Sequence, residues 1–437
     1  MRKLRRLALG VGLAVIALTS GCDRPADTSG PVELTLWKQL TKLEEPAYQA
    51  AFARFNAAQN RWHVTAQSIP QGNYTQSIVA ASLAGRLPCI VMVDHPKVAS
   101  FVWAGHLRPI DDLVPAATLA PISPTALGRY RARIYSAGQF DAALAIFARR
   151  SELEKLGVRI PTLDAPWTLA EFDTVLERMR ASGTHRYPLD LSTRDLNPDW
   201  WTYGFSPMLQ SSGADLIDRT AMARAEGTLN SPAARKFALW FQSLFRRDLV
   251  SRREPDDNAF VSGRAGLAYT GNWWEPTYRK ALGNDLLILP PPDFGAGPVI
   301  GGGSWQWGIG SQCKHPRGAA EFIDFMLQPR EIAALSDQAG MVPVSEEAAA
   351  LTSEYRQGGK NRVFFDLMRR FARSRPETPA FPVISGAFTN ALRRVMEGEI
   401  VEDALDDAVD DIDQTLADNP SYQIQPGANV RPGARQP

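Results

Sequence analysis

The sequence is poor in the residues that metal and nucleophilic chemistry need. Its 437 residues include 5 histidines and 3 cysteines. The histidines are scattered, no His-Glu-x-x-His is present, and Cys89 and Cys313 lack metal-ligand spacing. A Gly-x-Ser-x-Gly nucleophile turn is also missing, since Gly302 to Gln306 fails at its last position. Nor is there a bias of charge: 48 basic residues stand against 47 acidic ones, which leaves no electrostatic footprint for nucleic acid. No internal repeat appears.

What is present describes a secreted globular chain of two-domain length, 44% hydrophobic and 22% charged. Arg2, Lys3, Arg5 and Arg6 precede an apolar run from Leu7 to Leu18, followed by Thr19-Ser20-Gly21-Cys22. This is the layout of an export signal, residues 1–21, with an apolar segment too short to span a bilayer stably. Its end resembles a bacterial lipoprotein box with Cys22 as the lipidated residue, although Thr19 stands where leucine is usual; the alternative is an ordinary cleavage site beside Cys22. Asp23 is similar to the signal that keeps some lipoproteins on the inner membrane. Removal of the leader takes four positive charges and no acids, so 44 bases face 47 acids and the mature charge is about −3. Residues 22–31 are small and polar, as a flexible tether would be.

Alternation in Val32 to Trp37 predicts a strand, and Tyr48, Phe52 and Phe55 predict a helix from Pro46 to Asn60. Strand, helix and strand follow at His63 to Ile69, Asn73 to Gly85 and Cys89 to Val93, the opening of a parallel α/β sheet buried on both faces. Thr168-Leu169-Ala170-Glu171 has the form of a capping box, and Ser231-Pro232 and Pro316 open further helices. The acids from Glu402 to Leu416 suit a solvated helix face rather than a calcium loop, which would need a glycine turn. Residues 421–437 form a loose tail. Three glycines, Gly301 to Gly303, run into the alternating Ser304-Trp305-Gln306-Trp307-Gly308-Ile309-Gly310. Since glycine loses the most backbone entropy on ordering, this pattern predicts a flexible hinge joined to a stiff strand.

The order of segments resembles the extracellular solute-binding proteins of ABC importers, of the sugar-binding, maltose-binding type, over nearly the whole mature chain. The resemblance is carried by the strand with Trp37, Ala84 to Val91, Gly105-His106-Leu107-Arg108-Pro109-Ile110-Asp111-Asp112-Leu113, Leu156-Gly157 through Phe172, Phe260 to Gly266, and Gly340-Met341-Val342-Pro343. Cys89 departs from the usual aspartate, and Gln139-Phe140-Asp141-Ala142 replaces an expected Gly-Leu-Pro. The resemblance implies an α/β fold of two lobes, each a mainly parallel sheet flanked by helices, joined by hinge crossovers. The first lobe would hold residues 32–139 plus 305–345, and the second residues 140–304 plus 346–420. It further implies a monomeric protein without cofactor, anchored through Cys22 to the outer face of the cytoplasmic membrane, that carries a carbohydrate to transmembrane permease subunits.

A sugar offers C–H faces and a rim of hydroxyls, so its pocket needs flat rings and paired hydrogen-bonding groups. Tryptophan clusters at Trp200-Trp201, Trp273-Trp274 and Trp305/Trp307, and neighbours in a strand cannot share a face, so one member of each doublet belongs to the core. Glu44, Glu45 and Asp94 lie at strand ends, where parallel sheets place ligand groups. Together with Trp37, Asn272, Gly302 and Gly303 these make the expected ligand set, the alternative for each acid being a helix cap or a solvated charge. The expected ligand is maltose, trehalose or another α-glucoside. A glycerol phosphodiester or sugar phosphate, held by Arg194 or Arg264, is the alternative, and a secreted glycoside hydrolase the remote one. In folds of this type the strand that returns after the crossover lies against the one beginning at Cys89, which implies either a Cys89–Cys313 disulfide or two buried thiols.

Overall fold

The computed structural model describes residues 30–39 and 44–423. The leader, Cys22 and most of the tether and tail lie outside these residues. Among the described residues no helix is long and apolar enough to cross a membrane.

The chain first lays down Val32–Lys38 (β1), Trp62–Ser68 (β2), Ile90–Asp94 (β3), Leu107–Arg108 (β4), Leu127–Tyr130 (β5) and Arg133–Ala137 (β6). It then passes through Phe140–Asp141 (β7) into Leu144–Arg149 (β8), Tyr187–Asp190 (β9), Ala265–Gly271 (β10) and Leu286–Leu289 (β11). It comes back along Ile300–Gly302 (β12) and Trp305–Gly310 (β13), and later adds Val342–Pro343 (β14) and Ala372–Ser374 (β15). Two main sheets result, one of order β2-β1-β3-β13-β6-β5 with β4 on β13, the other of order β11-β8-β10-β9.

Both sheets are mixed rather than mainly parallel. In the first only β2-β1-β3 run parallel; β13 enters from the other lobe, against both β3 and β6. In the second only β9 and β10 are parallel. Every residue of β3 is buried, as its unbroken apolar run requires.

Each sheet has its own core. Tyr48, Phe52 and Phe322 surround Trp307 at 5.4, 6.1 and 5.8 Å between ring centres in the first. Phe147, Phe172, Trp201, Phe241 and Phe388 are wholly buried in the second. Helix signals read from the sequence act as expected: Thr168 and Glu171 form a full capping box, and Ser231 caps Pro232–Arg246. The acid-rich stretch is the helix Val401–Asp418, with Leu405, Val409, Ile412 and Leu416 inward. Cys89 and Cys313 are joined by a disulfide, with Cα atoms 4.5 Å apart, because β13 ends where β3 begins.

The glycine stretch departs from its expected form. Gly301 and Gly302 are not a loose hinge but part of β12, paired with β15 and fully buried. A Cβ on Gly301 would lie 2.7 Å from the Tyr203 ring, and one on Gly302 would lie 2.6 Å from Thr125 Cγ2. These glycines serve close packing at the junction rather than freedom of movement.

Candidate ligand-binding cleft

Between the two sheets lies a cavity of about 380 Å3, walled by residues of both lobes and both crossovers. Its first-lobe wall is set by strand register. β13 runs against β3 so that Trp305 pairs with Asp94 at the carboxyl edge of the sheet, and paired residues share a face. The Trp305 ring stands half-buried against Tyr74, 6.4 Å between centres and nearly perpendicular. Trp307, two residues further in on the same face, is core.

The opposite wall comes from the helix Pro198–Ser211, which begins where the Asn197 side chain accepts from the Asp199 amide and Pro198 presets the first turn. Successive side chains on a helix point about 100° apart. Trp200 therefore faces the cavity while Trp201 turns into the core, its indole N–H donating to the Asp195 carbonyl at 2.7 Å. Trp273, on the turn after β10, meets Trp200 edge-on at 6.4 Å and lies over Tyr203 at 6.3 Å. Gly271 makes room for it, because a Cβ there would sit 1.9 Å from the Trp273 ring.

Charge in the cavity is dominated by carboxylates: Glu44, Asp94, Asp195 and Asp199 line it, and Arg375 is the cation among its lining residues. Arg375 is itself engaged. Its Nη2 donates to Asp94 Oδ1 at 3.4 Å and to the Gly303 carbonyl at 3.3 Å, and its plane lies 5.1 Å from the Tyr203 ring centre. Burial pushes the Asp94 carboxyl above its ordinary value, against the pull of Arg375. At the rim Lys97 and Asp199 form an ion pair of 2.7 Å between the lobes. The Trp200 indole N–H is buried without a hydrogen-bond partner in the protein.

Of the residues expected from sequence, Glu44, Asp94, Trp200, Trp273, Gly303 and Trp305 meet at this cavity. Six do not line it. Trp37 borders a separate surface groove with Ala80 and Pro88. Glu45 is bound to Lys38 and Gln49. Trp201 is core. Asn272 is buried, accepting from the Ala143 amide and donating to the Gly340 carbonyl at 3.0 Å each. Trp274 stacks on Tyr278 at 5.7 Å. Gly302 is a strand residue of β12. The doublets sit on a helix and a helical turn, not on strands, so rotation about an axis decides which member faces the ligand.

Sequence reasoning misses Asp195, Asp199, Tyr203 and Arg375. The Asn197-Pro198 start is the signal that could place Asp199 and Tyr203 on a helix beside Trp200. Nothing local marks Arg375, which depends on β15 pairing with β12. The phosphate candidates lie elsewhere: Arg194 pairs with Asp257, and Arg264 with Glu254 and Asp256.

Residues 41–333 match the family model described as bacterial extracellular solute-binding protein. The chain belongs to this family. Among relatives of this solute-binding protein is an uncharacterised lipoprotein from the oleD 5' region of Streptomyces antibioticus, 24% identical over 372 residues, 80% of this chain and 78% of the relative. The cyclic alpha-maltosyl-1,6-maltose binding protein of Arthrobacter globiformis has a similar structure, with a TM-score of 0.77, 21% identity, and coverage of 89% of this chain and 100% of that one. The sugar-binding protein MalE of Xanthomonas citri gives a TM-score of 0.76 at 16% identity, covering 89% and 98%. The two-lobed fold of the solute-binding protein is thus shared with sugar-binding proteins.

Proposed function

We propose that this solute-binding protein captures a neutral oligosaccharide in the interlobe cleft and passes it to the permease of an ABC importer, without chemical change to the sugar. The observation that carries this reading is a single cavity lined by Trp305 from one lobe, Trp200 and Trp273 from the other, and the carboxylates Asp94, Asp195 and Asp199. Rings cover the C–H faces of pyranoses, and carboxylates accept charge-assisted hydrogen bonds from their hydroxyls. The volume falls in the range of small-molecule sites, roughly 300–1,000 Å3.

In this reading residues 32–139 with 305–345 form one lobe and residues 140–304 with 346–420 the other, and the lobes close over the ligand. The protein is a periplasmic monomer, held by a lipid on Cys22 at the outer face of the cytoplasmic membrane. The ligand class is an α-glucoside such as maltose or trehalose, a class supported by the sugar-binding neighbours of the same fold. Four carboxylates against one engaged arginine disfavour a phosphate-bearing ligand.

Calorimetric titration with maltose, maltotriose, trehalose and glycerophosphodiesters tests this directly, with chromatography of the recovered sugar. Saturable binding of a neutral glucoside, returned intact, is the expected outcome. Binding of the phosphodiester alone, or appearance of hydrolysis products, overturns it.

A further inference from the structure

Tyr74 is outside the expected ligand set and does not line the main cavity, yet it is built into the wall that carries Trp305. It opens the helix Tyr74–Leu83 and is buried, as is Ile78 one turn on. Its hydroxyl stands at the end of the β1–β3 ladder. These strands pair through Leu36 with Ile90 and Trp37 with Val91, after which β1 continues against β2 and β3 against β13. At that parting the Tyr74 hydroxyl donates to the Trp37 carbonyl at 3.0 Å and accepts from the Met92 amide at 3.1 Å. A phenol has one proton to give, so this hydroxyl is committed to both strands and fixes the ring between them.

The ring so held meets Trp305 edge-on, with 75° between their planes, and is the aromatic neighbour of Trp305 among the described residues. Trp305 differs in this from Trp307, which three rings enclose. It is half-buried, and it shares with Tyr74, Val93 and Phe101 the lining of a second cavity of about 20 Å3. Close packing on all sides locks a core ring in place. Trp305 lacks that enclosure, so the angle of its indole depends on a few contacts, and the Tyr74 edge is one of them.

We propose that Tyr74 is a positioning residue for the ligand site: its hydroxyl, tied to β1 and β3, holds the ring edge that sets the angle at which Trp305 faces the sugar. The proposal rests on the reading that Trp305 is a wall of that site. Tyr74→Phe keeps the ring and removes the tie, leaving the Trp37 carbonyl and the Met92 amide without this partner. The ring of the variant is then free to shift, and Trp305 with it. Ordering one such side chain on binding is worth about two- to tenfold in affinity.

A double-mutant cycle reads the coupling: calorimetric titration of the wild type, Tyr74→Phe, Trp305→Ala and the double variant with maltotriose. Tyr74→Phe is expected to weaken binding by about two- to tenfold in the wild type and to cost nothing further once Trp305 is alanine. Unchanged affinity in Tyr74→Phe, or the same loss in both backgrounds, overturns the proposal. Ile78→Val, which deletes a buried methyl one turn away, controls for a loosened helix. It should lower the melting temperature and leave affinity alone; a loss of affinity equal to that of Tyr74→Phe also overturns the proposal. If maltotriose does not bind, the ligand assignment is what fails, and positioning is read in the ligand-free proteins by acrylamide quenching. The Trp305 signal is the difference between each protein and its Trp305→Ala counterpart. A more readily quenched Trp305 in Tyr74→Phe supports the proposal, and equal quenching overturns it.

Discussion

Trp200 and Trp201 are neighbours in sequence and opposites in role, since 100° of helix rotation separates a ring at the cavity from one in the core. Trp201→Ala should lower unfolding stability by about 3–5 kcal/mol, the range for a buried tryptophan leaving a cavity, as measured by denaturant titration. Trp200→Ala should weaken sugar binding by tenfold or more with a smaller loss of stability. The sequence supports the doublet as a site but not the choice within it, because that choice requires knowing that Asn197 caps a helix. Glu45 shows the reverse difficulty. Its position in the first strand–helix loop suits a ligand group, yet the buried Lys38 ammonium, 1% exposed, needs a counter-charge and takes it. Arg375 lies beyond reach for a third reason: its place at the cavity follows from a pairing between segments more than 70 residues apart, β12 and β15, which no local pattern encodes.

Among the elements, strands and helices with clear periodicity are readable from the sequence, whereas the glycine stretch misleads. A run of glycines suggests freedom, but Gly301 and Gly302 sit in a buried strand where Tyr203 and Thr125 leave no room for a methyl group. Overpacking of such a site costs about 1–3 kcal/mol, so Gly301→Ala should lower the melting temperature and weaken ligand binding together. Gly386 is the control. It lies exposed in the helix Phe381–Glu397 with nothing within 4 Å of where a methyl group would stand, and Gly386→Ala should stabilise by about 0.5–1 kcal/mol in the same melting assay. The parallel opening of the first sheet is legible from its β-α-β pattern. Its antiparallel half is not readable from periodicity, because β13 arrives from another lobe and the run of residues says nothing about direction.

At the scale of the whole molecule, two main sheets with separate cores are joined by the crossovers and face each other across the cleft, where polar and aromatic residues line the gap. The disulfide lies away from that junction. It closes a loop of 224 residues in sequence, for which chain entropy gives a stabilisation on the order of 5 kcal/mol. Reductant should therefore lower the melting temperature by several degrees while sugar affinity stays unchanged, as a paired melting and titration experiment will read. The central claim is that the cavity between the lobes is a sugar site with Trp305 as one of its walls. Titration calorimetry of the wild type and Trp305→Ala with the best-bound α-glucoside, alongside the melting temperature of each ligand-free protein, tests it most directly. The account predicts an affinity loss of at least about tenfold, roughly 1.4 kcal/mol, with little change in melting temperature. Equal affinity in the two proteins, or no binding of any neutral sugar by the wild type, would contradict it.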